Sequence, residues 1–190
     1  FFNGNRSGSL DGETQQEIPS LNVPFNQAPR MKALEVTNLS LEAIKSTKYD
    51  HIRLNIANGD MVGHTGDLPA TIEAVEFVDE CVGRLVEACV HTESILLITA
   101  DHGNADEMAQ WDKKKKAPKR NAKGSLVPST AHSKHPVPFI VFDPNDEWGL
   151  NGNKGEMLGG LSQIGASLLE MCGVAIPQGY LPSLVQSKSS

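Results

Sequence analysis

Cysteine is scarce in this chain: Cys81, Cys89 and Cys172 are the only three in 190 residues, and no two form a Cys-x-x-Cys pair. An odd and scattered set excludes a disulfide framework and zinc-finger spacing, and it fits a reducing, cytoplasmic setting. Long apolar runs are missing as well. No stretch approaches the ~18 consecutive apolar residues that a membrane span requires, so no membrane partner is expected. There is no sustained heptad, no Gly-X-Y period and no internal repeat, which excludes coiled-coil and collagen classes. A Gly-x-Ser-x-Gly elbow is also absent, which argues against hydrolase chemistry of the Ser-His-Asp kind. Nor does the sequence open like a natural start. Phe1 and Phe2 come without an initiator Met, a basic segment or an apolar segment, so neither a signal peptide nor a true N-terminus is expected there, and the chain reads as a piece of something longer.

Positive charge is in deficit overall, with 17 basic against 23 acidic residues and a net charge of −6. What positive charge exists is concentrated. Lys113, Lys114, Lys115, Lys116, Lys119, Arg120 and Lys123 lie between Asp112 and Lys123, giving that run +6 and leaving −12 for the rest. An acidic body with one basic loop lacks the basic face that neutralises phosphates, so no nucleic-acid partner is expected. The run itself reads as a solvated surface loop. The remaining composition, 39% hydrophobic and 21% charged, is that of an ordinary globular domain able to bury a core.

Periodicity supplies the elements. Positions 3 to 30 are rich in Gly, Asn, Ser, Pro and Gln and read as irregular connection, with Phe1-Phe2 the end of a strand that begins upstream. Met31, Leu34, Leu41 and Ile44 fit a helix ending near Ser46. Ile52, Leu54 and Ile56 alternate in a strand that stops at Asn58-Gly59. From Asp67, the residues Leu68, Ile72, Val75, Val78, Val82, Leu85, Val86 and Cys89 recur every three or four positions, with Pro69 in the first turn where proline is tolerated. Cys81 and Cys89 lie on or near that apolar face and read as core residues. Ser94 to Ala100 has the continuity of a strand buried on both faces, and Val137 to Phe142 reads as another short strand. A last helix from Leu161 to about Met171 closes at Gly173. The alternation predicts an α/β layered domain with a mostly parallel sheet and helices on both faces.

Three segments carry the chemistry, and two follow predicted strands, where open α/β sheets bind ligands. In Asn58-Gly59-Asp60-Met61-Val62-Gly63-His64-Thr65-Gly66, Asp60 and His64 are four apart, which stacks them on one face of a helical turn or lets a glycine-hinged loop converge them. Thr99-Ala100-Asp101-His102-Gly103-Asn104 ends an apolar strand with two ionisable groups, which is costly unless something such as a cation pairs with them. Thr130-Ala131-His132-Ser133 follows, with His135 nearby. Four of the six histidines fall in these segments, and with two carboxylates they make a metal-site inventory. Asp106 and Glu107 read instead as first-turn carboxylates of a helix.

The wording NGDMVGHTG, TADHGNA and TAH followed by PVP resembles the cofactor-independent (2,3-bisphosphoglycerate-independent) phosphoglycerate mutases, and the opening FFNGNR resembles their plant and trypanosomatid form. The resemblance runs from Phe1 to about Leu184, apart from the basic run and the stretch around 145 to 158. It implies an alkaline phosphatase-like phosphatase domain with two divalent metals, usually Mn²⁺, with Mg²⁺, Co²⁺ or Zn²⁺ as alternatives. By the same resemblance Asp60, His64 and His132 match three ligands of one metal, and Asp101 and His102 match two ligands of the other. His135 matches no ligand, since its position is commonly apolar, and is expected beside the site or on the surface. The nucleophilic Ser, a further Asp ligand and the inserted transferase domain are expected upstream of Phe1, making residues 1–190 the C-terminal portion of an incomplete phosphatase domain. The implied reaction interconverts 3-phosphoglycerate and 2-phosphoglycerate through a phosphoserine, in glycolysis and gluconeogenesis, in a monomeric cytoplasmic enzyme. Two other expectations stand beside it: another enzyme of the alkaline phosphatase superfamily, a phosphatase or phosphopentomutase, or a metal-binding piece without catalysis.

Overall fold

The computed structural model describes residues 8–153 and 155–188; the expected strand end at Phe1-Phe2 lies outside them. Three helices form the first layer: α1 (Ala33–Lys45), α2 (Asn58–Gly63) and α3 (Leu68–Thr92). α3 starts where the sequence predicts, because the Asp67 side chain accepts a hydrogen bond from the Ala70 N–H at 3.2 Å and so caps an otherwise unpaired donor. It ends as Glu93 turns left-handed at φ 55° and returns its N–H to Cys89 O. Its buried stripe is Ala70, Thr71, Ala74, Cys81, Leu85, Ala88 and Cys89. Leu68, Ile72 and Val75 of the predicted apolar face are exposed instead, so the helix carries more apolar surface than the described residues cover. α1 packs on α3, and it buries Ala33, Thr37 and Ser40 rather than the larger residues its periodicity singled out. Those hydroxyls tolerate burial because Thr37 Oγ1 donates to Ala33 O at 2.7 Å and Ser40 Oγ to Val36 O at 2.8 Å.

Cys81 and Cys89 are core residues, as expected, and Cys172 is exposed. Burial pushes the Cys89 thiol up, away from the reactive thiolate. A thiol reagent at neutral pH is therefore expected to modify one cysteine rapidly in the native chain and all three in denaturant, with mass spectrometry placing the fast label on Cys172.

The expected mostly parallel sheet is not assembled among the described residues. β1 (Leu96–Thr99) pairs antiparallel with β4 (Phe139–Phe142), in the register Leu96↔Phe142 to Thr99↔Phe139. β2 (Trp111–Asp112) pairs with β3 (Ala117–Pro118), and β5 (Trp148–Leu150) with β6 (Val185–Ser187), both antiparallel. The segment Ile52 to Ile56, predicted as a strand, belongs to no ladder among the described residues. Its alternation survives: Ile52, Leu54 and Ile56 are half-buried while His51, Arg53 and Asn55 are exposed. A pleat sets which side chains share a face, whereas a ladder also needs a neighbouring backbone. For the same reason β1, predicted to be buried on both faces, is only half-buried and ends at an exposed Thr99.

The basic run is exposed, as expected, but it is not an irregular loop. Its first part forms the β2–β3 hairpin, whose turn is held by Asp112 Oδ1 accepting the N–H groups of Lys114 and Lys115 at 3.0 and 3.1 Å; Lys119, Arg120 and Lys123 follow β3. At the C-terminal end, α4 (Ile164–Met171) follows a 3-10 turn at Leu161–Gln163. It stops at Gly173, whose φ of 68° suits glycine, while Val174 N–H bonds back to Leu169 O at 2.8 Å. No helix among the described residues is long and apolar enough to cross a membrane.

Candidate metal centre

α2 is a helical turn with two faces. Asn58 and Val62, four apart, point inward: Asn58 Nδ2 donates to Pro29 O at 2.8 Å, and Val62 packs with Ala70 and Ala74 in the core. The other i, i+4 pair, Asp60 and His64, is thereby left on the outer face. Of the two local conformations that the sequence allowed, the helical one holds: His64 N–H bonds to Asp60 O at 2.9 Å, and its Nε2 stands 3.2 Å from Asp60 Oδ1.

His132 arrives from the segment before β4. Ser133 N–H donates to Gly103 O at 2.8 Å, an isolated antiparallel bridge that lays this segment along the loop after β1. His132 Nε2 lies 3.2 Å from Asp60 Oδ1 and 3.0 Å from His64 Nε2. One carboxylate oxygen and two imidazole nitrogens thus form a nearly equilateral triangle. Donors about 2.1 Å from a shared tetrahedral ion are about 3.4 Å apart, so this triangle matches one ion's coordination set. Among the described residues it is the group of acidic, histidine or cysteine side chains that converges this way.

Two further observations test the fit. His64 Nδ1 is 2.6 Å from Thr130 O; a carbonyl only accepts, so Nδ1 carries the proton and Nε2 offers its lone pair to the triangle. That is the arrangement by which metal-ligating histidines are oriented. Next to the triangle, His102 stacks on His132 with ring centroids 3.5 Å apart. Its Nδ1 is buried without a hydrogen-bond partner, 3.9 Å from Asp60 Oδ1. An orphaned imidazole nitrogen costs free energy unless a ligand satisfies it.

The five expected ligands therefore divide. Asp60, His64 and His132 converge, His102 stands against them, and Asp101 is set apart, its side chain 88% exposed with Oδ2 3.6 Å from His102 Nε2. Asp106 and Glu107 correct the sequence reading, for they start no helix: the element after β1 is the strand β2. Asp106 Oδ2 instead accepts from Ser133 Oγ and from His135 Nδ1, both at 2.7 Å. Burial raises the Asp106 pKa, but the hydrogen bonds from Ser133, His135 and its own backbone outweigh that and hold the carboxyl below its ordinary value.

Asn104 was missed by sequence reasoning. It is buried, and its Nδ2 donates to Asp60 Oδ1 at 2.7 Å and to Asp60 O at 3.3 Å, fixing the carboxylate. Gly63 makes room for it, since a Cβ there would stand 2.5 Å from Asn104 Oδ1. Gly63→Ala is expected to cost about 1–3 kcal/mol of stability and to weaken metal binding by displacing Asn104. Gly83→Ala, in α3 with nothing within 4 Å of the new Cβ, is expected to stabilise by up to ~1 kcal/mol. Thermal unfolding of both variants, with a Mn²⁺ titration, checks the contrast.

Comparison with known proteins bears on this geometry. The metalloenzyme superfamily model matches residues 1–176. Over 191 residues the chain is 45% identical to a probable 2,3-bisphosphoglycerate-independent phosphoglycerate mutase of Leptospira interrogans, covering 100% of this chain and 34% of that protein. It is 47% identical over 192 residues to the 2,3-bisphosphoglycerate-independent phosphoglycerate mutase of Trypanosoma brucei brucei, covering 98% of this chain and 34% of that one. Its structure resembles that of Leishmania mexicana phosphoglycerate mutase, solved at low cobalt concentration, with a TM-score of 0.90 at 40% identity, over 98% of this chain and 34% of the other. The chain spans about a third of the length of the relatives it matches.

Proposed function

The chain belongs to the metalloenzyme superfamily, and from that premise we propose that it is the metal-ligating portion of a cofactor-independent phosphoglycerate mutase. The reaction on this reading is the interconversion of 3-phosphoglycerate and 2-phosphoglycerate, in the cytoplasm, as a step of glycolysis and gluconeogenesis. The observation that carries it is the triangle of Asp60 Oδ1, His64 Nε2 and His132 Nε2, with edges of 3.2, 3.2 and 3.0 Å.

Asp60, His64 and His132 would hold one divalent cation, and His102 with Asp101 would supply part of a second set. Mixed carboxylate and imidazole donors suit Mn²⁺, and they accept Co²⁺ or Zn²⁺ as well. A cation held there supplies positive charge to the oxygens of a transferring phosphoryl group. The protein's own part is preorganisation. Thr130 O holds the proton of His64 on Nδ1, and Asn104 holds the Asp60 carboxylate toward both rings. Asp60, His64 and His132 would supply three of an ion's donors.

The other two thirds of the relatives' length, on this reading, provides the nucleophilic serine, the remaining ligands and the substrate-binding domain. It also provides strand neighbours for Ile52 to Ile56, completing the parallel sheet expected from the sequence. Assay of the full-length protein for phosphoglycerate interconversion without 2,3-bisphosphoglycerate, with and without chelator, tests the proposal.

A further inference from the structure

We propose that Asp106 is a positioning residue that fixes His132 for ligation, by clamping Ser133 and His135 to the loop that carries His102. The inference rests on the metal-centre reading of Asp60, His64 and His132 and goes beyond it, because Asp106 and His135 touch none of those three ligands.

The His132 side chain is 47% exposed. Among the described residues its ring meets Asp60, His64 and His102, all groups of the site itself. Among the described residues no hydrogen bond, ion pair or ring contact from outside the site holds the imidazole, so its place depends on its backbone. Upstream, Thr130 is tied to His64 through the 2.6 Å contact of its carbonyl. Downstream, Ser133 is tied to Gly103 by the backbone bridge and to Asp106 by its hydroxyl, and His135 adds a second donor to the same Asp106 oxygen. Ser133 Oγ in turn accepts the His135 N–H at 3.3 Å, which closes the set. Glu107 Oε2, 3.8 Å from His135 Nε2, flanks the ring from its other edge.

The loop is built to receive this clamp. A Cβ on Gly103 would collide with Ser133 Oγ and come within 2.5 Å of Asp106 Oδ1. Glycine at that position lets the carboxylate and the hydroxyl meet directly above the backbone that follows His102. One carboxylate oxygen thus joins two of the three ligand-bearing segments, one residue after His132 and four after His102.

The test is Mn²⁺ affinity, read by electron paramagnetic resonance, in the 190-residue chain and its Asp106→Ala, His132→Ala and doubly substituted forms. Asp106→Ala is expected to weaken binding about 10-fold and to weaken it no further once His132 is alanine, because nothing then remains to be positioned. In the metal-free protein, the His132 ring proton resonances should lose the ring-current shift that stacking on His102 imposes. Ser133→Ala, which deletes one donor and leaves the carboxylate, carries the same test with a gentler change and an expected loss of about threefold. Unchanged affinity in Asp106→Ala and Ser133→Ala, or an equal loss in the His132→Ala background, would overturn the clamp alone. Absence of Mn²⁺ binding by the unsubstituted chain would overturn the metal-centre reading and the clamp together.

Discussion

Replacing His64 with alanine is expected to remove most of the Mn²⁺ binding of the 190-residue chain, by on the order of 100-fold or more, whereas His102→Ala should lower it far less. Loss of an oriented partner beside a metal already costs about 10- to 100-fold in affinity, and loss of a ligand costs at least that. His64 is held twice, by the 2.6 Å contact with Thr130 O and by its helical register with Asp60, so its nitrogen is offered with little ordering cost. His102 lies 3.9 Å from the same carboxylate oxygen, and on the proposed reading it belongs with Asp101 to a second set that the described residues do not complete. Its loss also removes a stacked ring from His132, which accounts for a modest effect rather than none. Titration with Mn²⁺, counting bound ions by electron paramagnetic resonance, decides the order. Two equal tight sites, or a larger loss in His102→Ala, would refute this division of ligands.

The second large effect is on turnover. The full-length protein is expected to lose phosphoglycerate interconversion in excess chelator and to regain it with Mn²⁺, and the 190-residue chain alone is expected to show none under any metal. On the proposed reading, charge on the transferred phosphoryl group is neutralised by bound cations. Removing them withdraws several kcal/mol of transition-state stabilisation, and each 1.36 kcal/mol is tenfold in rate. On the same reading the isolated chain would fail for a different reason, since it spans only 34% of its relatives and would hold only part of the second ligand set. Full activity in chelator would remove the metal mechanism. Turnover by the 190-residue chain would show that the assignment of roles to the remaining two thirds is wrong.

How much of this was legible in the sequence differs residue by residue. The start of α3 could be read because Asp67 and Pro69 act locally, through one hydrogen bond and one fixed dihedral angle. The Asp60 and His64 pair was legible because an i, i+4 spacing needs only a helical turn to converge. Asn104 and Asp106 were not. Both sit in a short loop after β1, and their partners, Asp60 and Ser133, lie 44 and 27 residues away. The glycines at 63 and 103 were the available signal, because each marks a place where another chain segment approaches too closely for a Cβ.

The sequence by itself determined the metal-site inventory, the long capped helix, the buried cysteines and the resemblance that points to phosphoglycerate chemistry. Each is written in residue types and local spacing. Tertiary structure alone decided that Asp60, His64 and His132 share one point while Asp101 stands apart, that Asp106 bonds to Ser133 and His135 instead of starting a helix, and that Ile52 to Ile56 joins no ladder among the described residues. Local patterns act through hydrogen bonds and dihedral angles within a few residues. Convergence of distant segments depends on which backbones the core brings side by side, and no spacing along the chain encodes that.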